Sequence, residues 1–387
     1  MSLGIYIQVP FCQTKCTYCN FHTGVFSRSL YDPYVRAVCR ELREHEALYR
    51  AAGIDAARLA AIPTDTVYIG GGTPSLLQPE ALAHVMETVS ATFPCRLEEV
   101  TLEADPETIT AEKAAVWRAA GINRISMGAQ SFDDRELEAA GRMHRRGDIS
   151  RAAGWLLEAG FGNISLDLIA GLPHQTAATW EDSLESLLGL RPEHVSVYLM
   201  EIDEGSRLGR EVLRGGARYS AGALPDDDAM AGFYERACER LAGAGYEHYE
   251  ISNWALPGFR SQHNLKYWRR EPYLGLGAGA HSFTGQQRWA NVHDPGAYAA
   301  AIEKGGLPVE QLETVTEKQA LEEELFLGMR QLEGIDLAGI EERYHVSLGA
   351  RIERLRANGL VEVAGPRVRL APSRLTVSNE VFVELLG

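Results

Sequence analysis

Six short β-branched segments, separated by stretches of helical periodicity, constrain this chain more than any other feature. Ile5–Val9, Thr66–Ile69, Glu99–Glu103, Arg124–Met127, Ile164–Ile169 and His194–Leu199 read as strands. Tyr31–Ala52, Pro79–Thr92, Ala111–Ala120, Ile149–Ala159 and Thr176–Leu188 read as the helices between them. Thr110 and Asp148 stand where N-caps belong, and Gly53, Gly121 and Gly160 where helices end. A strand joined to the next through a helix runs parallel to it, because the connection is a crossover rather than a hairpin. Six such units fall short of the eight in a closed TIM barrel. The expected fold is therefore α/β, a partial (βα)6 TIM-like barrel over residues 1–228.

The pattern then changes. Residues 205–228, with Gly215-Gly216, Pro225 and three consecutive aspartates, read as a mobile loop. Residues 229–310 form an accessory segment, a helix at Ala229–Ala244 followed by an aromatic- and glycine-rich stretch. Residues 311–387 read as a small winged-helix-like domain. Its helices are Glu317–Leu332, Leu337–Tyr344 and Leu348–Asn358, and its hairpin pairs Leu360–Val363 with Val368–Leu370 about Gly365-Pro366. The alanine-rich run Ala51–Ala61 is the one compositional bias.

Composition excludes several classes. With 38 basic against 53 acidic side chains the net charge is −15, unsuited to a non-specific grip on nucleic acid. Arg343, Arg351, Arg354, Arg356, Arg367 and Arg369 interleave with acids, which reads as a solvated helix face and not as a nucleic-acid patch. No apolar run reaches the roughly 18 residues of a membrane span, and Met1–Ile5 lacks the basic start of a secretory signal. A cytoplasmic protein without an integral membrane segment is expected.

Cys12, Cys16 and Cys19 fall in a C-x3-C-x2-C run just after the first strand, whereas Cys39, Cys95 and Cys238 are scattered in apolar contexts. In a reducing compartment a tight cysteine cluster reads as a metal site, and the scattered three as small buried hydrophobes. Three thiolates on a short loop can hold three irons of a [4Fe–4S] cube and leave the fourth iron open. The other reading is zinc with His22 as fourth ligand, although zinc sites usually pair two knuckles and no second knuckle is present. Gly70-Gly71-Gly72-Thr73-Pro74 follows the second strand, where glycines let backbone approach a ligand. Glu103, Gln130 and Asp167 lie at or just past strand ends, the functional face of a βα barrel. Singly, each could be a helix cap, and Arg142 a solvated helix charge.

Together these motifs resemble the radical S-adenosylmethionine (SAM) superfamily. Tyr6 ahead of the cysteines, the Gly-Gly-Gly-Thr-Pro turn, Glu103-Ala-Asp-Pro, Gly128-Ala-Gln-Ser-Phe132 and Asp167-Leu-Ile-Ala-Gly-Leu-Pro are similar to its HemN/HemW branch. That branch contains oxygen-independent coproporphyrinogen III oxidases and haem chaperones. In the superfamily the open iron binds the amino and carboxylate groups of SAM, and an electron from the cluster cleaves the sulfonium to a 5′-deoxyadenosyl radical. Carried over, the SAM contacts would be Tyr6, Tyr18, Gly71, Gly72, Thr73, Glu103, Gln130, Arg142 and Asp167.

Two features divide the branch. The oxidase pattern has a fourth cysteine two residues past the third and a long extension before the cysteines. Here Phe21 holds that place and eleven residues precede Cys12. His263-Asn-Leu-Lys-Tyr-Trp268 resembles a motif associated with haem in the chaperones. An imidazole can ligate haem iron, while Tyr267 and Trp268 offer flat apolar surface. His281, in a glycine-rich turn, is the weaker ligand candidate. The resemblance implies a haem chaperone without oxidase activity, binding haem, the cluster and SAM. It would need an electron donor and an acceptor protein for its haem. The alternative is a coproporphyrinogen III oxidase of porphyrin biosynthesis.

Overall fold

The computed structural model describes residues 2–54, 59 and 61–386; part of the alanine-rich run lies outside the described residues. Strands β1 (Leu3–Val9), β2 (Thr64–Gly71), β3 (Cys95–Ala104), β4 (Arg124–Gln130), β5 (Ile164–Ala170) and β6 (His194–Leu199) lie side by side in chain order, all parallel. Alternate residues face opposite sides of each strand. One set is apolar: Ile5, Ile7, Val67, Ile69, Leu102, Ile125, Leu166 and Val195 are buried in one core with helix residues such as Leu42, Val85, Trp117, Leu156 and Leu184. The other set, which includes Tyr6, Gln8, Thr66, Tyr68, Glu103, Ser126, Ser165, Asp167 and His194, is polar.

The helices follow from local chemistry. Thr110 caps the Ala111–Ala119 helix by accepting from the Lys113 amide. Asp148 is not the N-cap expected of it. The helix begins one turn earlier, at Arg146, and the Asp148 carboxylate accepts from the Arg145 amide at 2.8 Å, the N3 half of a capping box. Residues 205–228 are likewise more ordered than expected. Ser206 caps a helix over Arg207–Leu213, and Leu208 is buried against Ile169, Leu172 and Met200. The aspartates start the Asp227–Gly243 helix, with Asp226 accepting from the Ala229 amide.

The sheet continues past the six expected strands. On the β1 side it adds β9 (Tyr273–Leu276), parallel to β1, then β10 (His281–Phe283), β11 (Gln287–Asn291) and β12 (Val309–Thr314). Beyond β6 it adds β8 (Asn253–Ala255) and β7 (Glu247–Glu250). Between these edges the chain crosses beneath the barrel as a helix, Gln262–Trp268, at the end away from the cysteine loop. Glu99 of β3, 4% exposed, fixes its start by accepting from Ser261 Oγ (3.3 Å) and from the amides of Gln262 (2.9 Å) and His263 (3.0 Å). Lys266 adds ion pairs to Asp65 at 2.9 Å and Glu271 at 3.3 Å. The C-terminal part has the expected helices, Glu317–Arg330, Leu337–Tyr344 and Gly349–Ala357, and the hairpin β14 (Val361–Ala364) with β15 (Arg367–Leu370). A short β13 (Ile335–Asp336) completes that sheet, and an unanticipated helix, Ser378–Leu386, packs Phe382 edge-on against Phe326.

Glu99→Ala should leave two buried donors and one part-buried donor without an acceptor. We predict a loss of about 1–3 kcal/mol, read as a lower urea midpoint, with Val383→Ala on the exposed face as the unchanged reference. An unaltered midpoint for Glu99→Ala would show that the helix is held by packing alone.

Candidate functional site

The loop after β1 folds back on its own start. The Cys12 amide donates to Gly24 O (2.9 Å) and the Gly24 amide to Pro10 O (3.0 Å), while the Thr17 amide donates to Ala140 O (2.9 Å). The three thiols thereby line one cavity of about 500 Å³, together with Tyr18, Gly71, Gly72, Thr73, Glu103, Gln130, Arg142 and Asp167. Gly72 cradles the loop: a Cβ there would lie 2.6 Å from Phe11 O and 3.0 Å from Cys12 Sγ. Among the described residues no three His, Cys, Asp or Glu side chains are arranged to hold a single ion. His22 stacks on His293 at 3.9 Å. The donor set suits a cube gripped at three separated corners better than one tetrahedral zinc. Burial pushes the Cys12 thiol up to about 11, against hydrogen bonds from Thr23 and Thr73 that lower it. An incoming iron must therefore displace its proton.

Charge inside the cavity is arranged in two connected groups. Glu103 accepts from Tyr68 Oη at 2.8 Å and from the Gly71 amide at 2.8 Å. Burial nevertheless raises its pKa to about 7. Burial also raises Asp167, offset by Ser196, Arg124 and Ser126. Gly71 is held at φ +117°, and a Cβ there would meet the Gln8 side chain at 2.6 Å, so glycine is required. The second group centres on Asp105, which pairs with Arg142 and accepts from Thr73 Oγ1 at 3.0 Å. Arg142 also donates to Gly128 O (3.0 Å) and to Cys16 Sγ (3.4 Å). Gln130 ends β4 at φ 66°, a left-handed conformation that is costly for a residue with a Cβ.

Sequence reasoning missed Asp105, although it sits inside the quoted Glu-Ala-Asp-Pro run. It also missed Leu375, Thr376, Ser378 and Asn379, which line the cavity from the C-terminal segment. No signal in the chain links those residues to the cysteines.

Two expected site residues lie elsewhere. Tyr6 is not part of the cavity wall; its hydroxyl donates to Gln8 Oε1 at 2.6 Å and its ring stacks on Tyr68 at 6.0 Å. His263 projects into the barrel from the helix beneath it, 1% exposed. Its Nδ1 shares a hydrogen bond with Thr66 Oγ1 at 2.9 Å and its Nε2 another with Tyr267 Oη at 2.9 Å. Neither ring nitrogen is free for iron in this conformation. Trp268 instead lies under the Arg330 guanidinium, 4.5 Å from Cζ to the ring centre.

Comparison with known proteins gives the family. The radical SAM superfamily domain matches residues 6–187, and the HemN C-terminal domain matches residues 315–373. The heme chaperone HemW of Bacillus subtilis is 34% identical over 388 residues, covering 99% of this chain and 98% of its own. HemW of Mycobacterium tuberculosis H37Rv is 37% identical over 387 residues, covering 99% and 95%. The chain belongs to the HemW family of radical SAM proteins. Radical SAM membership implies a [4Fe–4S] cluster and SAM as cofactors. HemW of Escherichia coli K12 is 36% identical over 281 residues, 72% of this chain and 69% of that one. Among solved structures, E. coli coproporphyrinogen III oxidase (HemN), described as a radical SAM enzyme, superposes with a TM-score of 0.81 at 21% identity. It covers 100% of this chain and 89% of that one, so the fold is shared.

The buried His263 makes a prediction about acid stability. Burial, then Lys266 and Arg124, lower its pKa from 6.5 to about 3. On acidification through about 6.5 the unfolded imidazole binds a proton and the folded one does not, so stability present above 6.5 is lost as pH falls. The stability gap between wild type and His263→Gln, measured by urea unfolding, should therefore be widest at pH 7.5 and narrow at pH 5. A gap independent of pH would mean that the ring titrates in the folded state.

Proposed function

We propose that this protein is a haem chaperone: it carries haem to an acceptor protein, with a [4Fe–4S] cluster on Cys12, Cys16 and Cys19 and SAM in the adjoining cavity. The observation that carries the reading is likeness along nearly the whole chain to proteins named heme chaperone HemW. Phe21, in the place of the oxidase pattern's fourth cysteine, points the same way.

Within this reading Tyr18, Gly71, Gly72, Thr73, Glu103, Gln130, Arg142 and Asp167 hold SAM, and Tyr6 steadies Gln8 behind the glycine turn. When bound, the cluster supplies the electron for reductive cleavage of the SAM sulfonium, itself received from an external donor. The chain's own residues prepare the site. Arg142 sets a guanidinium against the Cys16 sulfur. Glu103 exchanges a proton near neutrality beside the Gly71 amide. Residues 1–228 form the core, 229–310 extend its sheet and carry the buried histidine, and 311–387 close the cavity. No helix among the described residues is long and apolar enough to cross a membrane, and we take the protein to act in the cytoplasm.

Anaerobically reconstituted protein should hold about four irons per chain, with broad absorbance near ~400 nm. Cys12→Ala, Cys16→Ala and Cys19→Ala should each abolish that absorbance. Haemin titration should saturate, and coproporphyrinogen III with SAM and reductant should give no protoporphyrinogen. Turnover at ~1 s⁻¹ or more would make the protein an oxidase, and stoichiometric zinc without iron would overturn the cluster.

A further inference from the structure

A haem site needs an imidazole that iron can reach, apolar surface for the macrocycle and a cation for the propionates. With both nitrogens of His263 engaged, the rim of the barrel mouth beside the cysteine loop offers all three. His22, three residues past Cys19, is exposed and lies flat against His293, with ring centres 3.9 Å apart and planes at 28°. His293 follows β11, which runs in the same direction as β1, and so arrives at the end of the sheet that carries the cysteines. Its Nδ1 is buried without a hydrogen-bond partner among the described residues, and its Nε2 lies 3.9 Å from a Glu310 carboxylate oxygen.

Exposed apolar residues flank His22 in the chain. Phe21 is 67% exposed and Val25 62%; among the described large apolar residues only Val383 is more exposed than Phe21. Single exposed apolar residues are ordinary; here two fall one and three residues from the exposed His22 in the chain. Lys15 donates to Phe21 O at 3.2 Å, which fixes an ammonium on the same loop. Burial, then His293 and Lys15, hold His22 below its ordinary pKa, so the ring is in its neutral, ligating form at pH 7.

Resting on the chaperone reading, we propose that haem docks on this rim, ligated by His22, with its porphyrin against Phe21 and Val25 and a propionate toward Lys15. His293 is a positioning residue: it backs the His22 ring and sets its angle. The phenylalanine two residues past Cys19 then has a purpose as macrocycle surface.

The test is haemin titration of the cluster-reconstituted full-length protein, read by Soret position, affinity and iron content. His22→Ala should shift the Soret band and weaken binding at least tenfold. His22→Met should replace the imidazole spectrum by that of a thioether ligand, a change that a merely structural residue would not produce. His293→Ala and the pair Phe21→Ser with Val25→Ser should lower affinity while the imidazole spectrum remains. His263→Ala should leave the Soret band in place. If wild type binds haem while His22→Ala and His22→Met keep its spectrum and affinity, the rim site is wrong, and loss of the spectrum in His263→Ala alone would assign haem to the barrel floor. If wild type shows no saturable binding, the chaperone reading itself fails, and this site with it.

Discussion

Inside the barrel, polar side chains must find partners away from water, and that requirement organises the molecule from the floor upward. Arg124, 1% exposed, lies within the field of Glu99, Tyr68, Tyr249 and Asp167. Ser165 and His194 share a hydrogen bond at 2.8 Å, and His194 another with Tyr249 Oη at 2.8 Å. That hydroxyl accepts from the Ser261 amide at 3.3 Å, and Ser261 Oγ donates to Glu99. One network thus joins β3, β5, β6 and β7 to the helix that closes the barrel. Removing a member strands the rest in a low-dielectric interior, so the floor is a unit.

The floor reaches the cofactor cavity through Tyr68. Its ring lies 5.3 Å from that of His263, while its hydroxyl donates to Glu103. Glu103 in turn accepts from the Gly71 amide, in the turn that faces the cysteine loop. A change at His263 therefore has a short physical route to the cavity without any contact with haem. Asp105 does the equivalent work above, tying the glycine turn through Thr73 to Arg142 and so to Cys16.

Legibility in the sequence followed the range of the interactions. The six parallel strands could be read because their alternation and crossover helices repeat along the chain. Strands β7 to β11 escaped because each has only three to five residues, too few for a period to show, and because β8 and β9 join the sheet through β6 and β1, far off in the chain. The 207–213 helix hid in glycine-rich, acidic sequence because the burial of Leu208 against Ile169, Leu172 and Met200 cannot be read locally. At the site, the cysteines and glycine turn were legible as compact spacings. Asp105 was passed over because its work is a charge pair with Arg142, 37 residues away. For His263 the motif suggests an imidazole ligand but says nothing of Thr66, which hydrogen-bonds its Nδ1 from β2.

The contacts of His263 limit where a large flat ligand can enter. To reach His263 Nε2, haem iron would have to displace Tyr267 Oη from a ring already fixed by Thr66, and open a helix that Glu99 anchors by three hydrogen bonds. Each buried group left unpaired costs about 1–3 kcal/mol, and several would be lost together. Cargo that must also be released to an acceptor gains nothing from a berth whose opening dismantles the barrel floor. At the rim His22 is exposed, and Phe21 and Val25 already face solvent. Haem docked there as proposed would cover apolar surface at roughly 25 cal/mol per Å² and stay open on its far side to a receiving protein. On the chaperone reading, reversible exchange thus favours the edge of the mouth over the interior.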